Sequence, residues 1–201
     1  MHDSQRDTAR VQQLRQEFHD QTQETLRTIA AHLKFIDESG VHLGLTRLFG
    51  RAAPGVRVPE ATPGYSGPHY TLIAALGLTT VTAAWVLEGA MTRDAFDLYV
   101  EQVLAPTLSP GDVVVLDNLN VHKSEAARRA VAARGARLAY LPPYSPDWNP
   151  IEKCWAKIKT VLRRLKARTF EALVDALDRA FQTITPEDAQ AWFAHCGYLM
   201  P

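Results

Sequence analysis

Residues 112–117, Asp-Val-Val-Val-Leu-Asp, constrain this 201-residue chain more than any other stretch. The run is apolar without alternation, which suits a short strand covered on both faces. Such a strand needs packed layers above and below it. The flanking sequence supplies candidates for both layers.

Residues 33–38 are a second short apolar run ending in acid, which suits a strand. Ser39-Gly40 reads as a turn after it, with residues 41–45 as a candidate hairpin partner. Residues 70–78 and 81–87 are β-rich and flank Thr79-Thr80, so they read as paired strands. Between them and the first strand, residues 50–69 carry Gly50, Pro54, Gly55, Pro59, Pro63, Gly64, Gly67 and Pro68. That is a long loop or arm, with one short strand expected at residues 56–58. Thr92 can cap a helix over 93–105, and Pro110-Gly111 makes a turn. After 112–117 come a helix at about 122–134, a strand at 137–141 and a loop forced open by Pro142, Pro143, Pro146 and Pro150. A helix over 150–166 follows, with Pro150 near its first turn. Thr169 caps another helix to about 182, and a short one covers 186–195. At the other end, residues 3–32 read as a helix with a thin apolar stripe (Val11, Leu14, Phe18, Leu26, Ile29).

Early strands joined as hairpins and later strands joined by helices imply an α/β fold. Its centre would be a mixed five-stranded sheet with helices on both faces, and this element order matches the ribonuclease-H-like fold. The chain divides into a lead-in helix or connector (1–32), a core (33–168) and a C-terminal helical extension (169–201).

Three acids stand at element ends. Asp37 closes the first strand, Asp117 closes the apolar strand, and Glu152 lies in the first turn of the helix after the proline-rich loop. With the first and fourth strands side by side, Asp37 and Asp117 become neighbours, and a helix over that edge brings Glu152 to them. Clustered carboxylates repel unless a cation neutralises them. Hard oxygen donors with open positions suit Mg²⁺ or Mn²⁺. Two such ions about 3.5–4 Å apart can assist both the attacking and the leaving oxygen of a phosphodiester. Position alone leaves blander readings open, since an acid at a strand end is often a turn residue and an acid in a first helical turn suits the helix dipole.

The flanking residues narrow the choice. FIDESG (35–40), VVLDNLNVHKS (114–124) and LPPYSPDWNPIEKCWAKIK (141–159) resemble the three signature blocks of mariner-superfamily DDE transposases. The resemblance spans roughly residues 33–166. It points to the bacterial insertion-sequence branch, because the stretch 118–151 between Asp117 and Glu152 has the length that branch uses. It implies cut-and-paste DNA transposition, with Asp37, Asp117 and Glu152 as catalytic triad and metal ligands for two Mg²⁺ or Mn²⁺ ions per site. Asp37 is then the candidate to bridge both ions. It further implies double-stranded DNA as partner, both transposon ends and target, with TA as the target dinucleotide and a homodimer formed on DNA. Family members carry helix-turn-helix domains before the core, whereas only the stretch 1–32 precedes the first strand here. This chain therefore reads as a catalytic part alone, steered by an upstream domain or a separate DNA-binding chain.

Around the acids, Asn118 and His122 follow Asp117 in a D-N-x-x-x-H pattern and are candidates for orienting it, as ordinary turn and helix-start residues would also be placed. Asn149 shapes the approach to Glu152, as do Tyr144, Ser145 and Trp148. Trp148 either stacks on a base or is buried under the loop. Glu38 points to the opposite strand face from Asp37 and is not expected to be a ligand. Trp155 and Ile158 read as core. Lys123 and a one-sided basic run, Lys153, Lys157, Lys159, Arg163 and Arg164, continued by Lys166 and Arg168, are candidate DNA-phosphate contacts. A solvated helix face reads the same way. Arg47, Arg51 and Arg57 mark the Gly/Pro-rich segment as a candidate DNA-contacting arm.

Composition adds limits. Lys plus Arg number 22, as do Asp plus Glu, so net charge alone suggests no nucleic-acid partner. Two separated cysteines, Cys154 and Cys196, provide no zinc set and suit a reducing cytoplasm. No run of about 18 apolar residues spans a membrane. Two other functions stay open: a different ribonuclease-H-like nuclease, and a truncated, non-autonomous transposase that binds DNA or dimerises as a regulator.

Overall fold

The computed structural model describes residues 8–20, 26, 28–61, 63, 64 and 67–198. Its centre is one five-stranded sheet in the order β3-β2-β1-β4-β5. The strands are β1 (Leu33–His42), β2 (His69–Leu76), β3 (Val81–Glu88), β4 (Val113–Leu116) and β5 (Arg137–Tyr140). β1 to β3 are antiparallel neighbours, and β4 and β5 run parallel to β1. This mixed topology is the ribonuclease-H-like arrangement expected from the order of elements.

Each layer follows from the period-two alternation of the strands. Phe35, Leu72, Val113 and Val115 face one way and share a buried cluster with Ile151, Cys154, Trp155, Ile158 and Leu162. Those five residues belong to α4 (Ile151–Leu165), and α5 (Phe170–Phe181) and α6 (Pro186–His195) complete that layer. Ile36, Ile73, Val114 and Leu116 face the other way, against α2 (Arg93–Tyr99) and α3 (Glu125–Ala132). Full burial of β4 thus requires both layers, and each buried Leu or Ile contributes about 1.5–3 kcal/mol. Thr92, Ser124 and Thr169 each accept a hydrogen bond from a backbone N–H three residues on, starting α2, α3 and α5. Thr185 and Asp188 form a capping box on α6.

Several expectations change. Ser39-Gly40 is not a turn: β1 runs through it to His42, pairing with β2 as far as His42–His69. Residues 41–45 therefore form no hairpin partner, and the return strand comes only after the 43–68 arm. No strand forms at 56–58. α2 loosens into a wider π turn over Val100–Leu104 and ends in a 3₁₀ turn. The helix expected at 122 starts at Glu125, after a 3₁₀ turn over Asn120–His122.

Of the helix expected over 3–32, residues 3–7, 21–25 and 27 lie outside the described residues. α1 covers Ala9–Phe18, and residues 30–32 form a 3₁₀ turn. Val11 and Phe18 of α1 are buried, and Phe18 joins the core beneath β1. No described helix is long and apolar enough to cross a membrane.

Candidate active site

β1 and β4 lie in parallel register, with Leu33 opposite Val113 and Phe35 opposite Val115. Continued two places beyond that ladder, the register sets Asp37 opposite Asp117. Both share the strand face that α4 covers. α4 starts directly after Asn149-Pro150, placing Glu152 in its first turn. The three acids line one pocket of about 420 Å³, walled by Pro142, Pro143 and Tyr144 of the proline-rich loop. Asn118 and Asn149 line the same pocket.

The electrostatics of the pocket are unbalanced. Burial, joined by the charges of Glu152, Glu38 and, more weakly, Asp117, pushes Asp37 up to about 8. Burial also raises Glu152; nearby Lys159 opposes the shift and Asp117 adds to it. The buried Oδ1 of Asn149 has no hydrogen-bond partner. Hence three carboxylates line one pocket, and no cation among the described residues offsets Asp37. A divalent cation fits that donor set. Among the described residues, no three His, Cys, Asp or Glu side chains already stand around a common ligating point.

His122 carries contacts that its sequence neighbourhood does not reveal. Its ring is buried, with Nδ1 2.6 Å from Asp117 Oδ1 and Nε2 2.9 Å from Glu38 Oε1. Burial opposes the imidazolium, but the hydrogen bonds to Asp117 and Glu38 outweigh it and raise His122 to about 9. Phe96 packs on the ring at 4.6 Å, and Tyr140 donates its hydroxyl proton to the His122 carbonyl oxygen. Glu38 does lie on the strand face opposite Asp37. It nevertheless reaches the site through His122, a long-range link that no local pattern signals.

Arg15 of α1 was not singled out by the sequence. Its guanidinium pairs with both carboxylate oxygens of Asp147, at 3.1 and 2.7 Å. It also donates to Ser145 Oγ and the Tyr144 carbonyl oxygen. Its centre lies 4.1 Å from the ring of Trp148, and Phe18 stacks on the same ring. Trp148 is thus half-buried, packed against Arg15 and Phe18. Tyr144 holds a left-handed backbone conformation, with φ of 56°, costly for a residue with a side chain. Arg15 clamps the loop that contains it. Arg15→Ala should lower stability by about 1–2 kcal/mol, discounted because Asp147 is partly exposed. Melting curves check this, and an unchanged midpoint would mean that α1 does not brace the loop.

The basic run after Glu152 divides. Lys157 Nζ lies 2.5 Å from Asp188 Oδ2, joining α4 to α6, so it is not the free phosphate contact expected. Lys153 lies near Cys196, also on the α6 side. Lys159, Arg163 and Arg164 have no acidic partner at ion-pair distance among the described residues. Lys123 is exposed just after the 3₁₀ turn. Trp155 and Ile158 are core, as expected.

The sequence signature of the DDE superfamily endonucleases matches residues 32–174. No curated protein sequence matches the chain. Among solved structures, the Mos1 transposase paired-end complex with left transposon end superposes with a TM-score of 0.75 at 16% identity, covering 94% of this chain and 60% of that one. The Mos1 mariner paired end complex with Mn gives 0.71 at 16% identity, covering 94% and 60%. The catalytic domain of Mos1 mariner transposase gives 0.66 at 14% identity, covering 92% and 88%. The chain spans about 60% of the length of the longer chains it matches.

Proposed function

The chain belongs to the DDE superfamily endonucleases, and from that premise we propose that it is the catalytic part of a transposase, cutting DNA at transposon ends and joining the freed 3′-hydroxyl to target DNA. The observation that carries this reading is one pocket lined by Asp37, Asp117 and Glu152, with Asp37 pushed up to about 8 by desolvation and by the charges of Glu152 and Glu38. The Mos1 complexes with transposon-end DNA and with Mn add support by likeness of fold. The length of the 118–151 interval between Asp117 and Glu152 supports the insertion-sequence branch of the mariner superfamily.

In this reading Asp37, Asp117 and Glu152 hold two divalent cations, Mg²⁺ or Mn²⁺. When bound, the cations would neutralise charge on the scissile phosphate and on its attacking and leaving oxygens. In cutting, a water oxygen bonds to phosphorus and the P–O3′ bond breaks, leaving a free 3′-hydroxyl and a 5′-phosphate. In joining, that hydroxyl attacks a target phosphate in line and releases a new 3′-hydroxyl. The chain's own residues orient these events. His122 fixes the Asp117 carboxylate through its Nδ1. The proline-rich loop, braced by Arg15, walls the pocket, and Asn149 lines it. Double-stranded DNA as substrate, a helix-turn-helix unit that reads transposon ends, a homodimer on DNA and a TA target all go with this reading.

Strand joining separates a transposase from a plain nuclease. A labelled duplex ending in a free 3′-hydroxyl, incubated with circular DNA and Mn²⁺, should become covalently attached to the circle. Nicking of the circle with no attachment at any metal concentration would support the nuclease instead. DNA binding with neither nicking nor joining would support a non-catalytic regulator.

A further inference from the structure

On α4, Glu152, Ala156, Lys159 and Arg163 recur at intervals of three or four residues, with Thr160 beside them four places after Ala156, so they form one stripe along the helix. The buried stripe of the same helix is Ile151, Cys154, Trp155, Ile158 and Leu162, on a different side. The exposed stripe leads from the carboxylate pocket to a second depression of about 270 Å³, lined by Arg47, Leu48, Phe49, Thr160, Arg163 and Arg164. Three arginines converge there with no carboxylate in the lining. None of them pairs with an acid among the described residues. Phe49 is 89% exposed and Leu48 66% exposed at its edge.

The arm that supplies Arg47 and Phe49 is tied to the end of α4. Arg168 donates to the carbonyl oxygens of Leu43 and Leu45, at 2.6 and 3.0 Å, and Lys166 pairs with Glu60. These contacts occupy Lys166 and Arg168 and leave Arg47, Arg163 and Arg164 facing the depression. α4 is capped by Lys166, whose left-handed backbone turns the chain back towards the arm. The cationic wall therefore consists of two segments far apart in sequence, fixed against each other.

We propose that this groove is a second DNA-backbone subsite, remote from the acids, in which Arg47, Arg163 and Arg164 hold phosphates of the duplex being cut while Leu48 and Phe49 pack on its deoxyriboses. The inference rests on the DNA-cutting reading above and gives it a register. Eleven positions separate Glu152 from Arg163, roughly 17 Å at 1.5 Å per residue. That distance is about five base pairs at 3.4 Å each. The stripe between the two ends carries Ala156 and Thr160, small enough for a backbone to pass close to the helix, and Lys159, a cation that also faces Glu152. Guanidinium groups suit phosphate oxygens because they donate in pairs.

The test is fluorescence anisotropy of a labelled duplex across a salt series, with the full chain and its variants. Arg163→Ala with Arg164→Ala should weaken binding to a long duplex roughly tenfold or more and reduce the salt slope by about one per lost phosphate contact. R47A and F49A should weaken it less. Arg128→Ala, on the opposite side of the sheet, serves as the control and should bind as the unchanged protein does. In cutting assays, the penalty of the double variant should vanish on duplexes trimmed to fewer than about five base pairs on the side that crosses the groove. A merely structural defect would not follow duplex length. If the unchanged protein binds and cuts but the double variant matches it on every duplex, the groove assignment is overturned while the cutting reading stands. If the unchanged protein neither binds nor cuts DNA, both are overturned.

Discussion

Asp37→Asn is expected to abolish DNA cutting while making the metal-free protein more stable. Asp37 is half-buried beside Glu152, Glu38 and Asp117, and desolvation together with their charges pushes its carboxyl up to about 8. The folded state therefore holds a proton there at pH values where the unfolded chain has released it. Stability contributed by a group raised in this way is present at low pH and lost as pH rises from about 4 to about 8. Above about pH 8 the metal-free protein carries an uncompensated, half-buried charge, and asparagine removes it. A gain of about 1 kcal/mol or more corresponds to about 2–4 °C in a chain of this size. Cutting should fall about 10³-fold, the scale of losing several kcal/mol of charge stabilisation. Melting with chelator present and nicking with Mg²⁺ present read the two effects separately. Loss of activity together with lower stability would mean that Asp37 is a structural residue.

His122→Ala should lower nicking by about 10–100-fold, the usual loss when the residue orienting a metal-binding side chain is removed. The imidazole bridges Asp117 and Glu38, and no other described side chain hydrogen-bonds the Asp117 carboxylate. Without it, the two acids lose their common hydrogen-bond partner. Stability should fall too, by about 1–3 kcal/mol. That is below the range for a fully buried pair, since 38% of the Asp117 side chain is exposed. Glu38→Gln keeps a hydrogen-bond acceptor for the ring but removes one charge, so it should retain more activity than His122→Ala. A shift in the Mg²⁺ concentration needed for half-maximal nicking distinguishes positioning from general destabilisation. Normal Mg²⁺ dependence and normal rate in His122→Ala would sink the assignment.

These two residues show where the sequence was legible and where it was not. Asp117 and Glu152 stood out because each flanks an element whose pattern is strong, an apolar strand and a helix behind a proline-rich loop; Asp37 stood out because it follows the apolar residues Phe35 and Ile36, but it does not close the strand, since β1 continues past it to His42. The continuous burial of β4 also announced helices on both faces of the sheet. Local pattern fails where contacts span the chain. Glu38 was set aside because its strand face was read correctly; that the opposite face carries His122 depends on the 3₁₀ turn over Asn120–His122, far along the chain. Arg15 lay in a polar helix, and its partners, Tyr144, Ser145 and Asp147, belong to the proline-rich loop on the other side of the whole sheet sequence. Ser39-Gly40 resembles a turn by composition, yet β2 supplies hydrogen-bond partners that keep β1 extended to His42. Lys157 belonged to an apparently free basic run until α6 placed Asp188 against it.

Whether the three acids form one metal-dependent DNA-cutting centre is decided by nicking of supercoiled DNA. The unchanged protein, Asp117→Ala and Glu152→Gln are purified side by side and assayed with Mg²⁺, with Mn²⁺ and with chelator. The unchanged protein should leave nicks bearing 3′-hydroxyl ends with either metal, with none from either variant or in chelator. Equal nicking by the unchanged protein and the variants, or nicking that persists in chelator, would show that the acids are not such a centre.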